Sequence, residues 1–319
     1  MLFYPLLFEP IFKERIWGGT KLKEVLNKSF TSNQIGESWE LSTVENDISV
    51  VSNGECKGLN LNQLIEKYPT EILGVNSIQN FGNNFPLLFK FIDAKEDLSI
   101  QVHPNDNLAK ERHNSFGKTE MWYVMQADAN ARLVVGFKDK TNKIEYQEHL
   151  ENRTVVTILN ETPVKEGDAF FLETGTVHAI GAGVLIAEIQ QTSDITYRLY
   201  DWDRVDANGL SRELHTDLAL DAINFEPTNT KLNYEVVKNK SVNLVACPFF
   251  KTNILEISGK YNWKKTKESF TVFMCTKGSF TVKMLHFQTE FKIGDTLLIP
   301  AILDGFEIIG EASLLEITI

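Results

Sequence analysis

The feature that most constrains this chain is a β-hairpin module that occurs twice. Residues 164–183, VKEGDAFFLETGTVHAIGAG, align without gaps with residues 291–310, FKIGDTLLIPAILDGFEIIG. Both copies give a Gly-Asp turn, an apolar strand, a second turn and a further glycine. The segments upstream, EMWYVMQADANARLVV and TVFMCTKGSFTVKMLH, share a strand–turn–strand pattern. Two copies of one hairpin module predict two jelly-roll barrels in tandem.

The remaining patterning predicts a mainly β chain with a few short helices. Segments such as PLLFKFIDA, LSIQVH, GVLIAEIQQ and DTLLIP are rich in β-branched and aromatic residues and are separated by Gly, Asn and Asp. Apolar residues recur at helical spacing in a few places, among them residues 61–73 and residues 211–224, where Ser211 is a candidate N-cap. WGG at Trp17–Gly19 and GESWELS at Gly36–Ser42 are interpreted as close-packed turns, with a packing role for Trp17.

The length of 319 residues favours two domains. Asn and Thr cluster from Pro227 to Asn233, which is typical of a linker. We therefore predict a metal-binding catalytic domain over residues 1–230. A degenerate barrel without metal is predicted over residues 231–319.

Charge and composition exclude several classes of partner. A net charge of −11 argues against nucleic acid and anionic membranes, because phosphate backbones require clustered Lys and Arg. No apolar run reaches the roughly 18–20 residues that span a bilayer, and the N-terminal segment does not have the pattern of an export signal. Three scattered cysteines predict reduced thiols and a cytoplasmic location. We expect no obligate protein partner.

The two copies of the repeat differ in the polar residues that could hold a metal. Glu120 aligns with Thr271, and His178 aligns with Gly305. A requirement of the fold would retain these residues in both copies. The first barrel is therefore predicted to carry the chemistry, and the second to be structural.

A candidate metal site is assembled from three segments of the first barrel. Gln101 and His103 are two residues apart and share one face of a strand, Glu120 opens the next strand, and His178 follows the turn at Gly175. Two imidazoles and a carboxylate suit a divalent transition metal with an open position, and Gln101 could add a fourth oxygen. The alternative is a set of ordinary hydrogen-bonded or solvated side chains. Surface or structural roles are predicted for His113, His149, His215 and His286.

Three cations interrupt strands or turns near this site. Lys118 lies two residues before Glu120, and Lys90 and Arg198 stand within apolar strands, where an unpaired charge is costly. They favour a pocket for a phosphate or an enediolate. The alternative is an internal ion pair with a nearby aspartate, namely Asp93, Asp201 or Asp203.

The motifs that carry these residues resemble one known family. IWGGTKL, GESWELS, PLLFKFIDAKEDLSIQVHPND, GKTEMWYV and GTVHAIGAGVLIAEIQQTSDITYRLYDWDR are similar to signatures of type I mannose-6-phosphate isomerases, in the same order and closest to the short bacterial form. The resemblance implies cupin-type barrels. It also implies one zinc ion per chain, bound by His103, Glu120 and His178, with Gln101 at the position of a further ligand.

The resemblance also implies roles around the metal. Arg198 matches an active-site arginine, and Lys90, Lys118 and Glu188 match positions near the sugar or its phosphate. The implied reaction interconverts mannose 6-phosphate and fructose 6-phosphate through an enediolate, so the expected partner is a small phosphorylated sugar. Two alternatives are an iron-dependent cupin oxygenase, which the same donor set suits, and a phosphosugar-binding protein without turnover.

Overall fold

A computed structural model describes residues 3–205 and 208–319. The strands in this part of the chain are β1 (Ile11–Gly19), β2 (Ile35–Leu41), β3 (Leu87–Ala94), β4 (Ile100–Val102), β5 (Glu120–Ala127), β6 (Arg132–Phe137), β7 (Leu159–Pro163), β8 (Ala169–Leu172), β9 (His178–Ile180), β10 (Val184–Gln191), β11 (Tyr197–Tyr200), β12 (Ser241–Ala246), β13 (Lys251–Lys264), β14 (Thr271–Met284), β15 (Phe287–Lys292), β16 (Thr296–Ile299) and β17 (Gly305–Thr318). The helices are α1 (Lys21–Glu24), α2 (Leu61–Lys67), α3 (Pro69–Leu73), α4 (Val75–Phe81), α5 (Asp106–His113), α6 (Lys143–Glu151) and α7 (Thr216–Leu220), with a 3-10 turn at Val155–Ile158. The prediction of a mainly β fold with a few short helices is confirmed.

The first barrel consists of two antiparallel sheets. One has the order β1-β2-β3-β10-β5-β8, and the other has the order β11-β4-β9-β6-β7. Strands β3 and β10 pair along their whole length near the middle of the first sheet, and all their residues are buried. Both strands are strongly apolar, as expected where both faces of a sheet are covered. Lys90 and Glu188 interrupt the apolar run and lie directly opposite each other.

The second barrel repeats the register of the first. Glu120 pairs with Leu172 between β5 and β8, and Thr271 pairs with Ile299 between β14 and β16. These are the positions that the sequence alignment makes equivalent. One detail of the predicted pattern is wrong, because TVFMCTKGSFTVKM does not contain a turn between two strands and forms the continuous strand β14. Gly278 adopts a positive φ of 73° there, beside a register shift between Cys275 and Lys277.

Both predicted helices are shorter than the sequence indicates. Residues 61–73 form α2 and α3, which are separated at Tyr68 because Pro69 occupies the first turn of the second helix. Within residues 211–224 only Thr216–Leu220 is helical. Ser211 forms an isolated bridge with Val205 and does not cap a helix.

The two motifs interpreted as turns are strands. WGG ends β1, and GESWELS lies in β2 except for its last residue, Ser42. Gly18 is required there because a Cβ atom would lie 2.4 Å from the backbone nitrogen of Gly36 on the neighbouring strand. These two strands form one wall of the cavity described below.

The two barrels share apolar packing. One core cluster contains residues from the N-terminal segment, from the first barrel and from the second, among them Leu6, Met121 and Leu298. Leu6 also exchanges both backbone hydrogen bonds with Leu298 of β16. The boundary at residues 230–231 stays a prediction, and the N-terminal segment packs on the second barrel. No helix among the described residues is long and apolar enough to cross a membrane.

Candidate active site

Three predicted metal ligands converge inside the first barrel. His103 directly follows β4, Glu120 opens β5, and His178 opens β9. One ligand atom from each lies within 4.8 Å of the others, and all three residues are at most 2% exposed. The Nε2 atoms of His103 and His178 lie 3.4 and 3.6 Å from the two Glu120 oxygens. The Gly175 turn fixes this approach, because its N–H donates to the His103 carbonyl.

Both imidazoles are oriented as neutral ligands. His103 Nδ1 lies 2.9 Å from the Ile195 carbonyl, and His178 Nδ1 lies 2.8 Å from the Thr176 carbonyl. A carbonyl only accepts, so each Nδ1 carries the proton and each Nε2 keeps a lone pair directed at Glu120. Burial, reinforced by the Lys118 charge, lowers the pKa of His103 to about 3, and burial also lowers the pKa of His178. Metal binding needs this unprotonated state.

The Glu120 carboxylate is ionised and incompletely satisfied. Burial raises its pKa, but the Lys118 ammonium holds that pKa well below its usual range. Within the described part of the chain neither oxygen accepts a well-aligned hydrogen bond, although Lys118 Nζ lies 2.8 Å from Oε1. A buried carboxylate with free lone pairs between two imidazoles fits a divalent transition metal such as zinc.

Gln101 is adjacent to this cluster. Its Nε2 atom lies 3.3 Å from His178 Nε2, and Gln101 pairs with His178 across β4 and β9. Amide oxygen and nitrogen are assigned from their surroundings, so the same side chain can present its oxygen to a metal. The geometry fits Gln101 as a fourth donor.

A cavity of about 430 Å³ reaches the cluster through Gln101 and Lys118. Its apolar wall includes Trp17, Trp39 and Ile92. Its lining contains five cations and four carboxylates. These are Arg15, Lys90, Lys118, Arg198 and Arg212, and Glu14, Glu37, Glu188 and Asp194. The cations outnumber the carboxylates of this lining in a chain of net charge −11, so the cavity can accommodate an anion.

Lys90 and Glu188 form a buried ion pair at the inner end of the cavity. Lys90 Nζ lies 2.9 Å from Glu188 Oε1 and donates to Gln190 Oε1 at 2.6 Å. The other Glu188 oxygen accepts from the indole N–H of Trp122 at 2.8 Å. Burial and the nearby charge of Glu120 raise the pKa of Glu188.

Lys118 and Arg198 differ in their partners. Lys118 Nζ lies 3.2 Å from His103 Nε2, and the charges of Glu120 and Glu188 outweigh burial and raise its pKa. Arg198 lies opposite Gln101 across β11 and β4 and donates from Nη1 to the Glu213 carbonyl. Its Nε is buried without a hydrogen-bond partner among the described residues.

Comparisons with known proteins assign the chain to a family. Residues 6–136 match the model of the type I phosphomannose isomerase catalytic domain, and residues 240–319 match the mannose-6-phosphate isomerase cupin domain. The mannose-6-phosphate isomerase ManA of Bacillus subtilis is 38% identical over 97% of this chain and 96% of its own length. The chain belongs to the type I mannose-6-phosphate isomerase family.

Further comparisons agree with this family assignment. The mannose-6-phosphate isomerase of Streptococcus mutans is 34% identical over 98% of this chain and 97% of its own. The crystal structure of a mannose 6-phosphate isomerase from Bacillus subtilis superposes with a TM-score of 0.90 at 34% identity and covers 99% of both chains. The first barrel of this mannose-6-phosphate isomerase family member carries the cluster, and the matched cupin domain lies in the second.

The proposed aspartate partners of the cations lie elsewhere. Asp93 accepts from the backbone N–H of Lys21, and Asp201 is held by Arg204 and Arg212. In this family member the buried Lys90 instead meets Glu188, and Arg198 makes no ion pair with any described acid.

The sequence did not predict four polar or aromatic cavity residues of this family member, which are Arg15, Glu37, Trp39 and Arg212. Glu37 on β2 accepts from Trp39 Nε1 at 2.6 Å and holds Arg15 in a two-bond contact. Burial opposes its ionisation, but the charges of Lys90 and Arg15 lower its pKa. Arg212 enters from the segment after β11. Glu37 and Trp39 are two residues apart in GESWELS, a spacing that could have placed them on one face.

Proposed function

We propose that this chain interconverts mannose 6-phosphate and fructose 6-phosphate with one zinc ion, held by His103, Glu120 and His178. The observation that carries the proposal is a buried, incompletely satisfied carboxylate between two neutral imidazoles, next to a cationic cavity. Gln101 is proposed as a further ligand. Relatives over nearly the full chain are named for this activity. The reduced cysteines inferred from the sequence support a cytoplasmic location.

Aldose–ketose interconversion moves a proton between C1 and C2, and negative charge develops on O1 and O2. A bound zinc ion supplies a Lewis acid for these oxygens. The Arg198 guanidinium is fixed by its backbone contact and by its place opposite Gln101, and its free Nε–H remains available. We therefore assign Arg198 to stabilising the enediolate charge.

The proton acceptor is assigned to Glu188 rather than Lys118. A base must be unprotonated at the working pH, and Lys118 stays protonated because neighbouring carboxylates raise its pKa. Burial raises the pKa of Glu188 toward the range that suits a general base. Lys118, beside the cluster, is assigned to orienting the sugar oxygens by hydrogen bonding.

The phosphate is assigned to the outer part of the cavity. Lys90 and Lys118, which the family resemblance places near the sugar or its phosphate, are only 6% exposed and lie against carboxylates. Arg212 is 28% exposed, and Asp201 fixes its orientation. A planar guanidinium presented at the cavity mouth suits a phosphate dianion. Lys90 is then assigned to holding Glu188 and to contacting the sugar rather than its phosphate.

The test follows formation of fructose 6-phosphate from mannose 6-phosphate by the purified chain, after chelation and after zinc is restored. We expect activity to disappear on chelation and return with zinc. The variant His178→Gln should lose both bound zinc and turnover, whereas His286→Gln, at an exposed histidine outside the site, should retain both.

Three results would refute the proposal. Undiminished turnover in fully chelated protein would exclude the metal. Oxygen uptake that requires iron, without isomerisation, would support an oxygenase. Binding of the sugar phosphate without conversion would support a binding protein.

A further inference from the structure

The loop between α5 and β5 brings Lys118 to the metal cluster. Residues 117–120 are buried, and Lys118 lies between Gly117 and Thr119 on this short connection. The function proposed above uses Lys118 and Glu120 but not the groups that hold this loop in place. Both backbone neighbours of Lys118 are bound by side chains from other elements.

Two side chains, Asp106 and Gln191, grip the loop, and we call this pair the clamp. The N–H of Gly117 donates to Asp106 Oδ1 at 2.7 Å, and the N–H of Thr119 donates to Gln191 Oε1 at 3.0 Å. Gln191 Nε2 donates to the same Asp106 oxygen at 3.0 Å, which joins the two contacts into one network. The backbone N–H of Gln191 also donates to the Thr119 carbonyl.

The loop passes close to the start of α5. A Cβ atom at Gly117 would lie 2.7 Å from the backbone nitrogen of Asp106, so glycine is required for this approach. Gln191 is 5% exposed, whereas Asp106 is exposed and lies at the solvent side of the network. A partly buried hydrogen-bond network of this kind fixes backbone position when all its members are satisfied.

The clamp connects the three segments that supply the site. Asp106 follows His103 in the QVHPND segment, the loop leads into Glu120, and Gln191 ends the strand that carries Glu188. Lys118 Nζ then lies 2.8 Å from Glu120 Oε1 and 3.2 Å from His103 Nε2. A shift of about 1 Å in such a group can cost on the order of a hundredfold in rate.

We propose that Asp106 and Gln191 are positioning residues that act on the isomerisation through Lys118. The proposal rests on the function assigned to Lys118 above. Neither clamp residue is a metal ligand in that assignment. Their effect is to hold the Lys118 backbone so that its ammonium meets the sugar oxygens.

The test is a double-mutant cycle between Asp106 and Lys118. We expect Asp106→Ala to lower kcat/KM about tenfold in the wild-type background. The same substitution should change kcat/KM less than about twofold when Lys118→Met is already present, because the clamp then has no group to position. Asp106→Asn keeps the Oδ1 acceptor and should restore most of the activity. Glu111→Ala, an exposed acid on the same helix, should match wild type.

A purely structural role would give a different result. An equal loss from Asp106→Ala in both backgrounds, or no loss in the first, would overturn the positioning role. A wild-type chain without turnover would instead refute the proposed function. The clamp would then be judged by amide hydrogen exchange, which should be slow at Gly117 and Thr119 and at least tenfold faster in Asp106→Ala. Unchanged exchange would overturn it.

Discussion

The buried ion pair between Lys90 and Glu188 allows the effect of one substitution to be worked out in magnitude. The two side chains are 6% and 4% exposed, and their charged atoms lie 2.9 Å apart. Lys90→Met keeps an apolar stem of similar length and leaves the Glu188 carboxylate without its main partner. Removing one member of a buried pair costs about 3–5 kcal/mol. Because Trp122 and Lys118 still face Glu188, we expect the lower end, about 3 kcal/mol.

The pH dependence of this loss has a definite sign. Burial already raises the pKa of Glu188, and loss of the Lys90 charge raises it further. The folded state of the variant therefore favours protonated Glu188, so the penalty is full above the folded pKa, shrinks as the pH falls through that value, and is gone below the pKa that Glu188 has in the unfolded chain. Stability relative to wild type should be lowest above the folded pKa of Glu188 and should recover as the solution is acidified.

Urea unfolding followed by tryptophan fluorescence measures the change. The double variant Lys90→Met, Glu188→Gln should regain most of the lost stability, because Gln keeps an acceptor for the Trp122 indole and carries no charge. A loss below about 1 kcal/mol near pH 8 would show that Glu188 is solvated or otherwise compensated. A double variant no more stable than the single one would refute the electrostatic reasoning itself.

Four further outcomes are expected. Arg198→Ala should lower turnover about a hundredfold and leave the bound metal, measured by atomic emission, unchanged; normal turnover would remove Arg198 from the mechanism. Chelation of the wild-type chain should lower its melting temperature by several degrees, and His178→Gln should show no such shift. Gly117→Ala should reduce kcat/KM, since its Cβ would lie 2.7 Å from the Asp106 nitrogen, and wild-type kinetics would contradict that geometry. Burial raises the pKa of Asp93 to about 6, so the favourable contribution of protonated Asp93 to the free energy of unfolding is lost as the pH rises through that value. Asp93→Asn should therefore make the free energy of unfolding less dependent on pH in this range.

The repeat and the convergence of the metal ligands were predictable because strands fix side-chain direction. Side chains alternate along a strand with a period of two residues, and the ladder register is fixed. Residues that align in sequence therefore also occupy equivalent positions in the two barrels. Glu120 and Thr271 therefore occupy equivalent pairs in the two barrels. His103 and His178 reach the same interior from neighbouring strands for the same reason.

The errors have identifiable tertiary causes. GESWELS is misinterpreted as a turn because Glu37, Ser38 and Glu40 interrupt its apolar residues. These polar side chains are held within β2 by hydrogen bonds from Trp39 to Glu37 and from Ser38 to Glu40. Residues 211–215 do not extend α7, because the backbone N–H of His215 donates to the Arg198 carbonyl and its Nδ1 accepts from the Arg198 N–H. Periodicity in a single chain segment does not report such long-range contacts.

The bonding of Leu6 to β16 limits how this protein can be divided. Strand β16 belongs to the second barrel, but Leu6, which shares two backbone hydrogen bonds with it, lies near the opposite end of the chain. An exchange of the second barrel between relatives must therefore transfer the first ten or so residues along with it. A hybrid that moves only the residues after 230 would join mismatched apolar surfaces, and its failure would say nothing about the catalytic barrel.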